Sequence, residues 1–453
     1  MTSDPIGKMR LVELVLRAGG VPHEPASQVR RPSAGGQIRL PIQADGYAII
    51  GLDLIINRNG DINLCESNGS NMAATSFGAD DGDAARAAHQ VASARERITA
   101  AERGVVLICY ATGTGAIDEI ITRADLVRDE VTRLRPCDLV DAALPLRDGM
   151  TVVVDTVENI ACHVTIGGRK LMYRGVECVS IANPNILPEL VRRGTVQRDG
   201  ARYCIDTSVF HDSPLVELVH DKNAQQRLAA GTGIKPLACR ECHDVEGCVV
   251  AIWEFQALGM VSVAKMNAGS GGRGIEFFGT SISPDEIRVG LSNLFKGAAN
   301  GYVGPIERSI WPVRIFEFAQ STDYPVGSGD RHLWDMRVQA LIAPGRVILT
   351  FCGIRICPEA FTEGLFNKGS VLSNVTGRPP DLTTTLSPLV EFGRPTDHLR
   401  AGGVDEQMLE KISNACAAWC EAAWANYSES AARGWPVGAT HDHVGKIISN
   451  EVM

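Results

Sequence analysis

The sequence lacks the features that would place it in a membrane or on nucleic acid. No apolar run approaches the roughly 18 residues needed to cross a bilayer. No long basic run is present, and the net charge is −9, which argues against nucleic-acid binding. The amino-terminal residues lack a basic stretch followed by an apolar core and a cleavage site, so export is not expected. We therefore predict a cytoplasmic protein with small-molecule partners and neither nucleic acid nor a membrane as partner.

A disulfide framework is also missing. The 13 cysteines are an odd number, scattered through apolar contexts such as Leu-Ile-Cys109-Tyr, and in a reducing cytosol they act as small hydrophobic residues. Cys239-Arg-Glu-Cys242-His243 has the spacing of a c-type haem attachment site and of half a zinc site. Because the chain has no export signal and no second ligand pair at comparable spacing, we expect neither haem nor structural zinc there.

A hairpin near the front of the chain is the most informative feature that is present. Tyr47 to Ile56 is an apolar and β-branched run, Asn57 to Gly60 has turn chemistry, and Ile62 to Cys65 returns as a second strand. The turn residues alone are compatible with an ordinary solvated hairpin, since Asp, Asn and Gly are common in turns.

Three oxygen-bearing side chains give this hairpin a possible chemistry. Asp53 and Glu66 are expected on paired strands, and the alternation of side chains puts Glu66 and Asn68 on one face. Mg²⁺ takes one or two protein carboxylates and completes its shell with water and nucleotide phosphate. We therefore predict a magnesium site at Asp53, Glu66 and Asn68, with a phosphate-bearing partner.

The length of 453 residues is enough for roughly three domains. The first is predicted over residues 1–82 and carries the hairpin. A helix over Asp83 to Arg103 and a buried strand over Gly104 to Tyr110 begin βα alternation, which predicts an α/β unit over residues 83–214. Residues 215–453 form the third unit, which is predicted to open with a helix, to continue mainly as strands and loops, and to end with a helix over Glu406 to Tyr427.

A lysine followed by glycines marks the third unit. Lys265 ends a predicted strand, and the glycine-rich loop that follows leads into another strand. Glycine lets backbone N–H groups approach phosphate oxygens, and the lysine adds a positive charge. The loop is not a P-loop, because the lysine precedes the glycines and a strand follows them. We interpret it as a nucleotide flap made of Gly269, Ser270, Gly271, Gly272 and Gly274, although glycine-rich hairpins also occur as plain turns.

Arginines recur on the strands further along. Arg337 and Arg355 lie on two predicted strands, and a loop bearing Asn374 follows them. Guanidinium groups suit a γ-phosphoryl group or an acyl phosphate, because they donate two parallel hydrogen bonds to developing negative charge. A single arginine is more often part of a surface ion pair, so the order of these residues matters more than any one of them.

Taken together, these segments resemble the ATP-grasp superfamily over residues 45–80 and 215–400. The residues that carry the resemblance are Asp221-Lys222, Lys265 with its glycine loop, Glu317, Asp335 and Arg337, Arg355, and Asn374 with Gly377. In most members the magnesium ligands follow the last loop, whereas Asp53, Glu66 and Asn68 stand at the front here. The order is therefore similar to a circular permutation, as in glutathione synthetases of eukaryotic type, which also share a segment like Ala73 to Gly78.

The resemblance implies a mixed α/β (α+β) protein with a permuted ATP-grasp fold and an inserted α/β substrate domain. It implies ATP and magnesium as cofactors, with two ions expected. It places Lys222 and Lys265 on the α- and β-phosphates, the glycine loop over the γ-phosphate, and Glu317 at the adenine and ribose. Arg355, Arg337 and Asn374 would steady the transferring group, and Glu276 is a further candidate metal ligand.

The activity implied is a carboxylate–amine ligase, in which ATP phosphorylates a carboxylate and an amine then displaces phosphate to form an amide or peptide bond. The substrates would be small molecules, such as an amino acid or a small peptide, and a homodimer is possible. A small-molecule kinase on the same fold, and a nucleotide-binding regulatory module without turnover, stay open as alternatives.

Overall fold

The secondary structure alternates between strands and helices along the whole described part of the chain. The computed structural model describes residues 38–44, 48–69, 80–110, 117–182, 186–199, 202–206, 209–210, 222–266, 274–299, 311–326, 329–364, 366, 368–371, 390–391, 395 and 397–432. The predicted mixture of helices and sheets is confirmed. Among the described residues, no helix is long and apolar enough to span a bilayer.

The strands, numbered in chain order, form five sheets. They are β1 (Ile38–Pro41), β2 (Ala48–Ile56), β3 (Ile62–Gly69), β4 (Gly104–Tyr110), β5 (Cys137–Val140), β6 (Met150–Thr156), β7 (Val164–Gly167), β8 (Lys170–Tyr173), β9 (Val176–Ala182), β10 (Arg198–Asp199), β11 (Arg202–Tyr203), β12 (Cys239–Cys242), β13 (Ser262–Met266), β14 (Ile275–Phe278), β15 (Val313–Glu317), β16 (Tyr324–Pro325), β17 (Arg331–His332), β18 (Trp334–Ala343), β19 (Arg346–Ile356) and β20 (Val390–Glu391).

The helices cover the sheets. They are α1 (Asp80–Ala100), α2 (Ile117–Thr132), α3 (Val157–Ala161), α4 (Ile186–Arg192), α5 (Lys222–Ala229), α6 (Val245–Ala257), α7 (Pro284–Ala299), α8 (Lys368–Val371), α9 (Asp397–Ala401) and α10 (Glu406–Ala432). Two of them, α6 and α7, lie in a segment for which the sequence predicted mainly strands and loops.

The largest sheet joins the front of the chain to its later part. Its strand order is β1-β19-β18-β2-β3, with β20 also paired to β19, and neighbouring strands are antiparallel. The β2–β3 hairpin therefore extends a sheet whose other main strands lie almost 300 residues later in the sequence. This pairing places the predicted metal hairpin beside the predicted arginine strands.

One face of the large sheet is a hydrophobic core. Alternate residues such as Leu52, Leu54 and Val338 are fully buried and pack with side chains of α5 and α10, among them Trp419. Fully burying a side chain of this size contributes about 1.5–3 kcal/mol. The core fixes the register of β2 and β18, and with it the position of every side chain on the opposite face.

A smaller antiparallel sheet has the order β12-β15-β13-β14 and is covered on one face by α6 and α7. Ala264 and Ile315 point into that covered face, so Lys265 and Arg314, their neighbours in sequence, point to the other. The smaller sheet thereby offers two cationic side chains on the face away from its helices.

A further sheet, which lies within the α/β unit predicted over residues 83–214, has the order β5-β6-β4-β9-β8-β7, and its strands β5, β6, β4 and β9 run parallel. Helices α1 and α2 pack on one face and α3 and α4 on the other. Buried on both sides, β4 is apolar along its whole length, as expected for a central parallel strand. The predicted strand over Gly104 to Tyr110 is confirmed, while the predicted helix bounds of Asp83 and Arg103 shift to Asp80 and Ala100.

Candidate functional site

A one-residue bulge in β3 decides which side chains of the hairpin reach the site. Leu54 pairs with Leu64, whereas Asp53 pairs with Glu66, so Cys65 is an extra residue between them. Before the bulge, Leu64 faces the hydrophobic core. After it, the alternation is reversed, because an inserted residue shifts the phase of a strand by one position.

The reversed alternation brings the predicted metal ligands together. Glu66 lies opposite Asp53, and Asn68 lies opposite Gly51 on the same face. The amide nitrogen of Asn68 donates to Oδ2 of Asp53 at 3.3 Å. All three predicted ligands therefore occupy the face of the large sheet that lies away from its core.

Two arginines converge on Asp53. Nε and Nη2 of Arg337 contact its two carboxylate oxygens at 2.7 Å each, and Nη2 of Arg355 lies 3.0 Å from Oδ2. Burial would by itself raise the pKa of Asp53, but the charges of Arg337 and Arg355 outweigh it and lower the pKa to about 2. Arg355 also donates two hydrogen bonds to Asp335, at 2.5 and 2.6 Å. The result is a buried chain of alternating charges.

Lys222 approaches the hairpin from α5. Its Nζ lies 3.4 Å from Oε1 of Glu66, and its side chain is 5% exposed. A cation in the first turn of a helix is disfavoured by the helix dipole, so the carboxylate of Glu66 compensates for an otherwise poor position. The helix is oriented by Gln225 and Gln226, whose amides donate to carbonyl oxygens of Ser67 and Leu64 on the edge strand β3.

Lys265 approaches the same hairpin from the smaller sheet. Its Nζ donates to the carbonyl oxygen of Cys65 at 3.1 Å, the backbone group at the bulge, and it lies 5.4 Å from the centre of the Phe316 ring. The predicted loop follows immediately, and its ends are joined by a hydrogen bond from Met266 N to Gly274 O. Gly274 has φ of +72°, a conformation that glycine adopts without strain.

Arg314 is a site residue to which sequence reasoning assigned no role. It pairs with Lys265 across the two strands and is 2% exposed. Glu241 accepts a hydrogen bond from its Nη2 at 3.0 Å. The feature that indicates a role for Arg314 is its position opposite Lys265 on the neighbouring strand. The sequence alone does not predict this pairing, because the strand order must be known first.

The residues present fit a magnesium ion in part. The amide nitrogen of Asn68 is engaged with Asp53, which leaves its Oδ1 as a ligand atom, and the side chain of Glu66 is 28% exposed. The two oxygens of Asp53 are already engaged by arginines. No group of three or more His, Cys, Asp or Glu side chains suited to a metal occurs within the described ranges. Of the three predicted ligands, Glu66 and Asn68 are thus the two whose oxygens would hold the ion, and phosphate oxygens would complete its shell.

Other predicted residues lie elsewhere or beyond the description. Gly269, Ser270, Gly271, Gly272 and Asn374 fall outside the described residues. Glu317 ends β15, and its Oε1 accepts from the Ala238 backbone at 3.2 Å. Glu276 pairs with Ala264, on the face that packs against α7, and is therefore turned away from Lys265.

Cys239 and Cys242 form the ends of the short strand β12, and the described residues around them contain no metal-binding cluster. A second ligand set for zinc is therefore missing from this part of the fold.

Comparisons with known proteins give distant similarity only. No family model and no curated protein matches the chain. A putative gamma-glutamylcysteine synthetase from Methylobacillus flagellatus has 12% identity over 85% of this chain and 91% of its own, with a TM-score of 0.45. A glutathione synthetase-like effector from Globodera pallida has 10% identity over 78% and 79%, with a TM-score of 0.38.

The biotin carboxylase domain of a thermophilic 2-oxoglutarate carboxylase, bound to ADP, has 11% identity over 69% of each chain and a TM-score of 0.21. Similarity at these TM-scores carries no argument about function, which depends on the geometry described above.

Proposed function

We propose that this chain is an ATP-dependent carboxylate–amine ligase, which forms an amide or peptide bond through an acyl phosphate. One observation carries the proposal. Two buried lysines from separate elements contact adjacent residues of the hairpin: Lys222 lies 3.4 Å from Glu66, and Lys265 donates to the carbonyl oxygen of Cys65 at 3.1 Å. Their convergence on an acidic hairpin provides both the cations and the metal ligands that a nucleotide triphosphate requires.

Lys265 is suited to bind phosphate. An ammonium group has three donors, and within the described residues its hydrogen bonds go to Cys65 alone. The side chain is 7% exposed, so a phosphate oxygen would meet it in a largely water-excluded place, where electrostatic attraction is stronger than in water. The glycine loop that begins four residues further on, at Gly269, would cover the phosphates, as the sequence predicts.

Magnesium, when held by Glu66, Asn68 and phosphate oxygens, would neutralise the charge on the transferring group. Arg337 and Arg355 would orient the substrate carboxylate that accepts the phosphoryl group. They are fixed by hydrogen bonds to Asp53 and Asp335, so little reorganisation is needed when negative charge develops nearby. Catalysis would consist mainly of positioning and charge stabilisation, as in other phosphoryl transfers.

A product assay tests the activity. The protein is incubated with ATP, Mg²⁺ and amino acids singly and in pairs, and ADP, free phosphate and products are measured. A ligase releases ADP and phosphate in proportion to a new amide only when both acceptors are present. The small-molecule kinase alternative predicts phosphate on the product, and absence of any ATP turnover across the panel contradicts both.

A lysine substitution tests the site. Lys265→Met keeps the aliphatic packing on Phe316 but removes the charge, and we expect the KM for ATP to rise about 10- to 100-fold, the loss of one charged hydrogen bond. Lys235→Met is the matched control, since that lysine binds Asp61 on the surface, where it is 58% exposed. Equal KM values for ATP in the two variants would show that Lys265 does not bind the nucleotide.

The magnesium ligands are tested by Glu66→Gln. This change preserves size but removes the carboxylate charge, so we expect Mg²⁺-dependent turnover to fall by orders of magnitude. The melting temperature should also fall, since the buried ammonium of Lys222 loses the charge of Glu66, but the variant should still fold. Unchanged turnover in the variant would exclude Glu66 as a metal ligand.

A further inference from the structure

Three charged side chains stand in one row across the smaller sheet. Glu241 on β12 pairs with Arg314 on β15, and Arg314 pairs with Lys265 on β13. Residues paired across antiparallel strands point to the same face, so all three side chains lie on the face away from α6 and α7. Neighbouring strands are about 4.8 Å apart, which places the backbones of Glu241 and Lys265 roughly 10 Å apart with Arg314 between them.

Arg314 is a poorly placed cation unless Glu241 accompanies it. It is 2% exposed, and like charges on directly opposed residues destabilise a sheet. Its Nη2 donates to Oε2 of Glu241 at 3.0 Å, and the side chain of Glu241 is 37% exposed. The other oxygen of Glu241 lies 3.4 Å from Nε2 of the exposed His243. Lys265 therefore faces a buried guanidinium whose charge is balanced by a carboxylate that reaches the surface.

The state of Glu241 matters for Lys265. Within the described residues, no carboxylate forms an ion pair with Lys265, whereas Lys222 lies 3.4 Å from the carboxylate of Glu66. Glu241 is the acidic residue in the same row as Lys265, and exposed side chains change rotamer readily. The hydrogen bond from Arg314 is what holds this carboxylate two strands away from the ammonium group.

We propose that Arg314 is a positioning residue of the nucleotide site: by binding Glu241, it keeps that carboxylate away from Lys265 and leaves the ammonium group for a phosphate. The inference rests on the proposed binding of nucleotide by Lys265 and adds the pair that keeps Lys265 available. Arg314 acts through Glu241 and does not itself contact the nucleotide. Without Arg314, an uncompensated carboxylate would repel the phosphates and compete with them for Lys265.

Nucleotide binding, measured by calorimetry, tests the inference without any need for turnover. ADP in the presence of Mg²⁺ is compared with adenosine, which has the same base and sugar but no phosphate. A change that acts on the phosphate site alters the affinity for ADP alone, whereas a general distortion of the pocket alters the affinity for both ligands.

Three variants separate the two charges of the pair. Arg314→Met leaves Glu241 uncompensated, and we expect the affinity for ADP to fall about 10-fold, the effect of one charge at roughly 10 Å with an effective dielectric constant of about 20. The affinity for adenosine is unchanged. Glu241→Gln removes the competing carboxylate, so ADP binds at least as tightly as to the wild type. The double variant Arg314→Met/Glu241→Gln carries neither charge, and its affinity for ADP returns to near that of the wild type.

The matched control is an arginine–glutamate pair on the opposite face of the same sheet. Nε and Nη2 of Arg288 on α7 donate to the carboxylate of Glu246 on α6 at 3.0 and 2.9 Å. Arg288→Met breaks a pair of the same chemistry, but the uncompensated carboxylate lies beyond the helices, so the affinity for ADP stays unchanged.

The rescue by the second substitution decides the assignment. The double variant leaves neither member of the pair uncompensated, so it folds even where Arg314→Met is unstable, and circular dichroism verifies this. If the double variant binds ADP weakly, Arg314 contacts the nucleotide itself. If Glu241→Gln weakens ADP binding as much as Arg314→Met does, or if Arg314→Met weakens adenosine equally, the pair only supports the fold. Each of these results overturns the inference.

The outcome is distinguishable from that of the ligase assay. An unchanged affinity for ADP in Arg314→Met overturns the positioning role of Arg314 but leaves the ligase proposal standing. Conversely, a failure to form any amide contradicts the ligase proposal, while the pattern of ADP affinities across the three variants still supports or overturns the role of Arg314.

Discussion

The two faces of the large sheet are built from alternate residues of the same strands, and both are buried. Leu52 and Leu54 on one face are 0% exposed, and Asp53 between them is 3% exposed. The first face excludes water by packing against α5 and α10, whereas the second holds charges in fixed pairs. Burial alone therefore does not distinguish a core from a site, and the chemical nature of the partners does.

The two faces also differ in what they tolerate. A hydrophobic face loses stability in proportion to the atoms removed, but a face of paired charges loses much more when one partner is removed, because the other charge stays buried. The bulge at Cys65 shifts the alternation of β3 by one residue. Leu64, before the bulge, therefore faces the core, whereas Glu66, two residues later, faces the site.

The strongest test of the difference between the two faces is to remove the bulge. Deletion of Cys65 returns β3 to regular alternation, which turns Glu66 and Asn68 towards the core and Ser67 towards the site. A charged carboxylate in the core costs several kcal/mol, comparable with the whole stability of a typical domain, about 5–15 kcal/mol. We expect the deletion variant to be unfolded or aggregated by circular dichroism and gel filtration.

The control for the deletion is Cys65→Ser, which keeps the extra residue and the carbonyl oxygen that accepts from Lys265. This variant should fold with a melting temperature close to that of the wild type. A deletion variant that folds and turns over like the wild type would show that the bulge does not set the faces of the hairpin.

The next largest effect is expected for Asp53→Asn. The change removes the charge that Arg337 and Arg355 share, and breaking a buried ion pair on one side costs about 3–5 kcal/mol. Its neighbour on the other face is the control, since Leu54→Ala creates a cavity and costs about 2–5 kcal/mol. Urea unfolding measures both, and a loss below about 1 kcal/mol for Asp53→Asn, the size of a surface pair, would mean that the arginines find other partners.

The sequence singled out residues that the structure brings together, but it did not predict how the strands bring them together. Lys265, the hairpin residues and the arginines were singled out from residue type and order, and Lys222 from the family resemblance. The roles assigned to all of them stay predictions. The bulge at Cys65 was not predicted, since it depends on the pairing of two strands and leaves no mark in composition. The pairing of Arg314 with Lys265 was missed for the same reason.

The fold was predicted unevenly. Strand β4, which is apolar throughout, was predicted at its observed limits, because a short continuous run of apolar and β-branched residues favours a buried strand. Helix α6 was missed, since Val245 to Ala257 is rich in valine, phenylalanine and other residues that also favour strands. Tertiary packing against β12 and β15 rather than propensity makes this segment helical.

Acid should remove the charge-dependent difference between the two faces. The pKa of Asp53 is about 2 in the folded protein, against 3.8 ordinarily. Because the folded pKa is the lower one, the stabilisation is present above pH 4 and is lost as the pH falls towards 2, by an amount on the order of 2 kcal/mol. In metal-free buffer, the difference in free energy of unfolding between wild type and Asp53→Asn should shrink over this range.

Leu54→Ala is again the control, here for the pH dependence of Asp53→Asn. The cost of Leu54→Ala arises from a cavity and contains no proton equilibrium, so the difference between that variant and the wild type should stay constant from pH 5 to pH 3. If the difference in free energy of unfolding between wild type and Asp53→Asn stays constant instead, the carboxylate does not carry the charge that the arginines neutralise.

The smallest effect is expected at the exposed end of the same hairpin. Arg58, in the turn after β2, lies 3.2 Å from Asp323, and the two side chains are 56% and 32% exposed. Asp323 also pairs with the exposed Arg331, at 2.7 Å. Asp323→Asn removes the same charge as Asp53→Asn, but water and salt screen the two arginines that are left, so the cost should stay below about 1 kcal/mol and shrink further in high salt. Urea unfolding at low and high ionic strength measures it. Since the chemical change is identical at both positions, a cost at Asp323 equal to that at Asp53 would mean that burial of the site face does not strengthen its ion pairs.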